Sequence, residues 1–287
     1  MADAFEIAWF NGRLQPLRDI TISPLDRGYL FGDGVYEVIP VYAGFATGLT
    51  LHLQRLRRSL AAIALPCSLD DTDLVQRFDE VIDANGGGTM SLYLQISRAG
   101  DSGRDHRYPE AGGCNVFLMA CTLTPPEKAH YARGVRLAQH PDVRWHRCDI
   151  KSTSLLANVM ARQFADEAGA TEALLVRDGH VTEASASAIA CVIDGDIVAP
   201  PLDQYLLPSV TRELVFTSAQ QLGYRIVEQP LMLDAALSAD EMLLMSSNRE
   251  VAPVIAVDDV SIGSGTPGPV WSALFDAYQQ LKVPATS

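Results

Sequence analysis

The chain of 287 residues contains 22 basic residues, and only three of them are lysines. Lys128 follows two prolines in a stretch of linker-like composition, and Lys282 lies near the chain end, as is typical of solvated lysines. Lys151 instead lies where a predicted strand meets a predicted helix, and such junctions place side chains in clefts. A lysine with a depressed pKa there can form a Schiff base with an aldehyde cofactor and then act as a general base. The alternative is a surface lysine near a helix start, which is a poor electrostatic position for a cation.

Hydroxyl and arginine side chains lie at three positions that suit a phosphate group. Ser209-Val210-Thr211 begins a predicted helix, where unpaired backbone N–H groups and two hydroxyls make a plausible phosphate cup. Ser246-Ser247-Asn248 ends a buried strand and forms a second cluster of small hydroxyls. Arg55 belongs to a run of three arginines on a predicted helix, and one of them could face a phosphate. Each pattern is also typical of ordinary structure: a helix cap, a turn and a solvated helix face.

Two further patterns suit the rest of a small-molecule site. Glu183 is a lone carboxylate among small residues after a hairpin turn, and a wall of small residues suits a flat ring as well as an ordinary loop. Arg104 and His106 alternate with Asp105 in a long polar loop, so both side chains could face the same way and bind one carboxylate. The competing interpretation is a polar, mobile connection.

The composition excludes several classes of protein. No apolar run approaches the roughly 18 to 20 residues of a membrane span, and the first six residues lack the features of a signal peptide, so we expect a cytoplasmic protein. A formal net charge of −13 argues against a nucleic-acid partner, because phosphate binding needs a clustered basic surface. The five cysteines form no zinc-binding pattern and are expected to be reduced: Cys67, Cys114, Cys121, Cys148 and Cys191.

Strands and helices follow one another irregularly, which predicts two α+β domains. The proline-containing stretch 122–133 is the predicted linker between a smaller N-terminal α/β domain at 1–121 and a larger C-terminal, cofactor-binding domain at 134–287. Helices are predicted at His52 to Leu65, Asp71 to Ala84, Ser152 to Ala168, Ser209 to Leu222 and Val270 to Leu281. Turn pairs that predict tight connections between strands are Asn11-Gly12, Asp178-Gly179 and Asp194-Gly195.

Five stretches, taken in order, resemble the fold type IV pyridoxal-phosphate enzymes. That family includes D-amino acid transaminases, branched-chain transaminases and aminodeoxychorismate lyases. The stretches are 26–37 (DRGYLFGDGVYE), 52–56 (HLQRL), 147–152 (RCDIKS), 181–183 (VTE) and 209–212 (SVTR). The likeness spans nearly the whole chain, and it implies a two-domain α+β fold with the active site at the domain and subunit interface.

The resemblance also implies a role for each matching residue. Lys151 looks like the Schiff-base lysine, Glu183 like the carboxylate that faces the pyridine nitrogen, and Arg55 like the phosphate arginine. A carboxylate beside the ring nitrogen keeps that nitrogen protonated, so the ring can accept electrons from the substrate. The other implied cofactor contacts are Leu207, which packs on the ring, and Val210, Thr211, Ser246 and Ser247.

The stretch 104–109 (RDHRYP) is similar to the carboxylate trap of D-amino acid transaminases. In that trap an arginine and a histidine reach over from the other subunit, and a tyrosine, here Tyr36, completes the site. The resemblance therefore implies a homodimer. Its implied reaction transfers the amino group of D-alanine or D-glutamate to 2-oxoglutarate or pyruvate.

The sequence departs from this pattern at a few places and leaves other functions open. The loop from Arg98 to Arg104 is one residue longer than expected, and alanines stand at 184 and 188 where Gly and Asn are expected. Met245 and Asn248 interrupt a stretch expected to be Ser or Thr. Aminodeoxychorismate lyase, branched-chain transaminase and a non-catalytic binding protein on the same scaffold are the alternatives.

Overall fold

The structure is a computed structural model that describes residues 3–100, 103–110 and 112–282. It divides into two compact units. The first contains the residues up to 124, residues 150–155 and those from 282; the second contains 125–149 and 156–281. None of the helices within the described ranges is long and apolar enough to cross a membrane.

The first unit is a six-stranded antiparallel sheet in the order β2-β1-β6-β5-β3-β4. Its strands are β1 Ala4–Phe10, β2 Arg13–Pro16, β3 Gly34–Tyr42, β4 Phe45–Ala46, β5 Met90–Arg98 and β6 Cys114–Thr122. Its helices are α1 Arg27–Phe31, α2 Leu49–Ala62 and α3 Asp71–Ala84, with a 3-10 turn at Leu17–Asp19. Helix α3 begins at a capping box formed by Asp70 and Asp73, which pairs two otherwise unbonded N–H groups. The apolar faces of α2 and α3 pack on the sheet and close one core.

Helix α1 is short because both of its ends are fixed locally. The Asp26 carboxylate caps its start by accepting from the Tyr29 N–H at 3.1 Å. Gly32 ends it with φ +65°, a left-handed conformation that favours glycine. A Cβ at Gly32 would also approach the Ser154 hydroxyl to 2.7 Å. This tight turn brings Asp33 and the start of β3 directly after the helix.

Residues 150–155 form an extended strap on the start of β3. The Tyr36 N–H donates to the Lys151 carbonyl at 3.0 Å, and the Thr153 N–H donates to the Gly34 carbonyl at 3.0 Å. Because the strap uses its backbone groups in this way, the helix predicted from Ser152 begins only at Leu156. The domain limits predicted from the sequence stay a prediction, and the first and last predicted residues lie outside the described ones.

The second unit is a ten-stranded mixed sheet in the order β12-β11-β10-β14-β15-β7-β8-β9-β13, with β16 on β15. Its strands are β7 Val135–Pro141, β8 Glu172–Arg177, β9 His180–Ala184, β10 Ala188–Ile193, β11 Asp196–Ala199, β12 Ile226–Glu228, β13 Leu231–Met232, β14 Glu241–Ser246, β15 Glu250–Val257 and β16 Val260–Ser261. Its helices are α4 Leu156–Glu167, α5 Val210–Gln221, α6 Leu233–Leu237 and α7 Pro269–Gln279, with 3-10 turns at Lys128–Tyr131 and Gln280–Lys282. Helices α5 and α7 pack against β14 and β15 over an extensive apolar core. The second unit is therefore an α+β domain.

Helix α4 presents its larger apolar side chains outward. Ala161 and Ala165 face β7 and β8, and small residues allow that close packing. The large apolar side chains lie on the opposite side, with exposed fractions of 73% for Leu156, 61% for Val159 and 60% for Met160. The chain thus leaves a stripe of large apolar side chains uncovered on one helix.

Candidate active site

Lys151 lies in the strap and is held beside an aromatic ring. Its N–H donates to the Ser59 hydroxyl at 3.2 Å, which fixes the backbone, while Nζ lies 4.2 Å from the centroid of the Tyr36 ring. Within the described residues no ion pair involves Lys151, whereas the ammonium of Lys128 pairs with Asp276 at 2.6 Å. The amine of Lys151 is therefore positioned without a carboxylate to hold its proton.

A buried cluster of Glu37, His52 and Arg55 lies in the same unit. Arg55 donates to Glu37 through Nε at 2.9 Å and through Nη2 at 2.6 Å, and Nδ1 of His52 lies 2.7 Å from the same carboxylate. Burial alone would raise the pKa of Glu37, but the ion pair with Arg55 and the contact with His52 lower it to about 2. Burial also lowers the pKa of His52, against the opposing effect of Glu37. The predicted phosphate arginine thus already has a charged partner, which a phosphate would have to share.

Tyr36, predicted to contact the substrate, belongs to a row of aromatic residues across the sheet. Its ring lies 5.8 Å from that of Tyr93, which lies 6.3 Å from that of Phe117. Burial, together with the neighbouring Tyr36, raises the pKa of Tyr93 to about 12. The phenol of Tyr93 therefore remains a neutral hydrogen-bonding group at physiological pH.

Arg104 and His106 lie on one side of their loop. The ring of His106 and the guanidinium of Arg104 each lie 5.2 Å from the ring of Phe31. Both side chains are exposed. The loop from Arg98 to Arg104 was expected to be one residue longer than in D-amino acid transaminases. That expectation stays a prediction, because residues 101 and 102 of the loop lie outside the described ones.

In the second unit, Glu183 is the last residue but one of β9 and is buried. One carboxylate oxygen accepts a hydrogen bond from Arg144, and the other accepts from the Leu207 N–H at 3.1 Å. Burial raises the pKa of Glu183, and the charge and hydrogen bond of Arg144 oppose that effect. Two residues of the predicted site, Glu183 and Leu207, are thereby joined directly, through the backbone of Leu207.

Arg144 links Glu183 to a second carboxylate that sequence reasoning missed. It donates to Asp142 through Nε and Nη2, both at 2.9 Å, and Arg177 contacts the same carboxylate at 3.1 Å. Burial opposes ionisation of Asp142, but these guanidiniums lower its pKa to about 2. The available signal was the pair of charged residues two positions apart where β7 ends.

The predicted phosphate contacts of the second unit lie at the start of α5 and the end of β14. Ser209 caps α5 by accepting from the Arg212 N–H at 3.2 Å. The N–H groups of Val210 and Thr211 belong to the first helical turn, where the helix offers no partner and the dipole favours an anion. Ser246 ends β14 and Ser247 begins the turn to β15; both are half-buried, and α5 packs against β14. Hydroxyls and unpaired N–H groups are the donors that a phosphate needs.

Comparison with known proteins identifies the class. The sequence model described as amino-transferase class IV matches residues 34–257. The chain therefore belongs to the class IV aminotransferases, and its fold is that of the fold type IV pyridoxal-phosphate enzymes.

Individual relatives agree with this class. The chain is 38% identical over 270 residues to a D-alanine aminotransferase of Bacillus licheniformis, covering 94% of this chain and 95% of that protein. It is 33% identical over 269 residues to a D-alanine aminotransferase of Listeria innocua, covering 93% of each. The solved branched-chain amino acid aminotransferase of Escherichia coli matches the fold with a TM-score of 0.89 at 23% identity, over 99% of this chain and 96% of that one.

Enzymes of this class depend on pyridoxal phosphate, and the described residues fit such a group chemically. Lys151 offers an amine without an ion pair, and Glu183 offers a buried carboxylate. The start of α5 offers backbone donors to an anion. These are the three kinds of group that the cofactor's aldehyde, ring nitrogen and phosphate require.

Proposed function

We propose that this chain transfers the amino group of D-amino acids, D-alanine and D-glutamate, to 2-oxoglutarate or pyruvate. The observation that carries the proposal is Lys151, an amine held beside Tyr36 with no carboxylate partner among the described residues, in a class IV aminotransferase. The names of the relatives at 38% and 33% identity support D-alanine as a substrate. Pyridoxal phosphate, when bound, supplies an aldehyde that takes up the amino group and a ring that accepts electrons.

Lys151 is the proposed covalent attachment point of the cofactor and the base of the reaction. A neutral lysine amine can take a proton from the substrate α-carbon and return it elsewhere. The ring of Tyr36 beside Nζ restricts where the amine can move. The hydrogen bonds of the strap to β3 hold the lysine backbone while the side chain works.

Glu183 is the proposed partner of the pyridine nitrogen. An anionic carboxylate there favours a proton on the nitrogen, but burial alone favours the neutral acid. Arg144 supplies the positive charge that stabilises the anion. The pair therefore gives a buried carboxylate whose ionisation Arg144 favours against the larger opposing effect of burial.

The remaining proposed contacts bind and orient. Val210, Thr211, Ser246 and Ser247 are proposed to donate to the cofactor phosphate, Arg55 to add a cationic contact, and Leu207 to pack on the ring. Arg104 and His106 are proposed to bind the substrate carboxylate together with Tyr36. Their shared position against Phe31 supports a common target for the two side chains.

We also propose that the protein is a homodimer, in which Arg104 and His106 serve the site of the partner subunit. The uncovered apolar stripe of α4, formed by Leu156, Val159, Met160 and Phe164, supports an interface with a second copy, because exposed stripes of this kind usually bind another protein surface. A cytoplasmic location remains a prediction from the sequence.

The deciding experiment is a visible absorption spectrum of the purified protein, recorded before and after addition of D-alanine and, separately, of L-leucine. Conversion of the cofactor band by D-alanine alone supports the proposal. Conversion by L-leucine alone would instead support branched-chain transamination. Release of pyruvate from aminodeoxychorismate would support a lyase, and no band after reconstitution with pyridoxal phosphate would leave a binding protein.

A further inference from the structure

Arg27 of helix α1 is a buried arginine that binds the backbone of the loop carrying Arg104 and His106. Its Nη1 donates to the carbonyls of Asp105 at 2.5 Å and Arg107 at 3.2 Å, and its Nη2 donates to the carbonyl of His106 at 3.3 Å. The residue is 7% exposed. One planar guanidinium thereby fixes three consecutive peptide groups.

Asp33 orients this arginine and a second one. Its Oδ2 atom accepts from Nε of Arg27 at 2.8 Å and from Nε of Arg98 at 3.0 Å. Arg98 is anchored in turn by the carbonyls of Ile63 at 2.6 Å and Ala64 at 3.1 Å, which follow helix α2. A single carboxylate thus connects the loop to the rigid sheet and helices of the first unit.

Arg98 also holds the far end of the loop. The ring of Tyr108 lies over its guanidinium, with 3.7 Å between the ring centroid and Cζ. A cation stacked on an aromatic face is attracted by the ring, more so where water is excluded. The loop is therefore held at residues 105–107 by Arg27 and at Tyr108 by Arg98.

The contacts leave the two proposed trap residues available. Within the described residues no hydrogen bond or ion pair involves the side chain of Arg104 or of His106. The carboxylate between them, Asp105, is turned to Arg107, which donates to it at 2.6 and 2.9 Å. A loop with a fixed backbone and uncommitted hydrogen-bonding side chains, one of them an arginine, is suited to binding an anion without prior rearrangement.

We propose that Arg27, Asp33 and Arg98 form a clamp that fixes the Arg104/His106 loop and so sets the affinity for the substrate carboxylate. This inference rests on the proposed role of Arg104 and His106. The three are positioning residues, because they act through the loop and not on the substrate. Both the amino acid and the oxo acid carry the carboxylate, so the clamp affects both half-reactions alike.

The test compares Arg27→Gln with Arg57→Gln. Arg57 is a matched control in the same unit, since it also joins an aspartate, Asp71, and a backbone carbonyl, that of Leu69, each at 2.8 Å. We expect Arg27→Gln to raise KM for D-alanine and for pyruvate about tenfold or more while kcat falls far less, since misplaced binding groups lose affinity first. Trypsin should cut the variant after Arg104 and Arg107 several times faster, and the cofactor absorption band should be unchanged. Arg57→Gln should show none of these effects.

Asp33→Asn is the second variant, because it preserves side-chain shape; it covers the case in which Arg27→Gln folds poorly. It should change KM and trypsin cleavage in the same direction. Arg104→Ala, measured in parallel, separates the two hypotheses. If Arg104→Ala leaves both KM values unchanged, the proposed trap is wrong; if it raises them while Arg27→Gln and Asp33→Asn do not, the trap stands and the clamp is overturned.

Discussion

The chain has 35 acidic residues, and the described part of it gives Lys151 none of them as a partner. Lys128, by contrast, forms an ion pair with Asp276. An ion pair stabilises the protonated amine and would raise its pKa, which is the opposite of what a nucleophilic or basic lysine needs. Lys151 therefore differs from Lys128 in having no carboxylate partner among the described residues.

Replacing this lysine should remove both cofactor attachment and turnover. We expect Lys151→Ala to abolish transamination of D-alanine and the visible band of the covalently bound cofactor, because the cofactor then loses its proposed attachment point. Lys128→Ala should retain both properties. The measurement is an absorption spectrum with a coupled assay of pyruvate formation. Full turnover by Lys151→Ala would remove the central proposal.

Replacing Arg144 should change the pH dependence of the reaction. Arg144→Met leaves the buried Glu183 without its cation, so the pKa of Glu183 rises further and its anionic form exists only at higher pH. We expect kcat to fall about tenfold near neutral pH and its acidic limb to move to higher pH. Arg177→Met, which removes a contact of Asp142 but none of Glu183, is the control. An acidic limb that stays in place would mean that Arg144 does not tune this carboxylate.

Single residues of a chemically distinctive type could be proposed as candidates from the sequence, but their partners could not. Lys151 was evident because lysine is rare here, and Glu183 because small residues surround it. Glu37 lies in the apolar run of β3, and its partner Arg55 is 18 positions away. Such a pair exists only once α2 has packed on the sheet. Sequence spacing carries no sign of it.

Among the elements, helix α5 has an N-cap that serves stability and, in the proposed function, phosphate binding. Ser209→Ala removes the side-chain acceptor of the Arg212 N–H, and loss of such a cap costs about 1 kcal/mol of unfolding free energy. A frayed first turn would also present the Val210 and Thr211 N–H groups less well. We therefore expect a lower melting temperature and pyridoxal-phosphate binding that is a few times weaker, measured by fluorescence titration.

The control for this variant is Thr217→Ala, on an exposed face in the middle of the same helix. It removes a hydroxyl without touching the helix start. If both variants weakened cofactor binding equally, the effect would belong to the helix as a whole and not to its first turn.

Elements with a strong local signal were predicted closely. Helix α3 spans Asp71–Ala84 as its apolar spacing predicts. The turn pairs are also confirmed, with positive φ at both Asp178 and Gly179 and at both Asp194 and Gly195. Strand β15 was missed, and it contains Pro253, a residue that weakens a strand pattern. Helix α4 was predicted to start at Ser152. The Thr153 N–H donates to the Gly34 carbonyl of β3 instead, so the helix begins only at Leu156.

At the scale of the whole molecule, the exposed stripe of α4 leads to a prediction about assembly. Val159→Glu places a charge in the centre of the stripe, and burying it in an interface would cost several kcal/mol. We expect this variant to elute as a monomer where the parent protein is a dimer, measured by size exclusion with light scattering. Gln220→Glu, which adds the same charge on the exposed side of α5, should remain dimeric. A dimeric Val159→Glu protein would place the interface elsewhere.

The buried His52 predicts how stability depends on pH. Its folded-state pKa is lowered below the ordinary 6.5, so the unfolded chain takes up this proton first. The histidine therefore costs no stability above pH 6.5 and lowers stability progressively as the pH falls below it. The Glu37 ion pair acts in the same direction at lower pH, since its stabilisation is lost as pH falls from about 4.5 towards about 2.

His52→Gln should flatten the fall in melting temperature between pH 7 and pH 5, because glutamine can still donate to Glu37 but does not titrate. His146→Gln is the control, since His146 is exposed. Calorimetric scans across this range measure the effect. Parallel curves for His52→Gln and the parent protein would contradict the assignment.

The general architecture was within reach of the sequence, because two α+β units follow from the irregular order of strands and helices. The membership of residues 150–155 in the first unit was not. Those residues bond to Gly34 and Tyr36, more than a hundred positions earlier, and no local pattern reports a contact of that separation.

The strap has a consequence for the order of events during biosynthesis. A ribosome releases the chain from its N-terminus, so the six strands of the first sheet emerge well before residues 150–155. Until then the N–H of Tyr36 and the carbonyl of Gly34 lack the partners that the finished protein gives them. The first unit is thus completed only by residues translated after the second has begun. The nascent chain cannot present Lys151 beside Tyr36 until at least residue 151 has left the exit tunnel, so the proposed cofactor attachment is expected to follow synthesis of the whole first sheet.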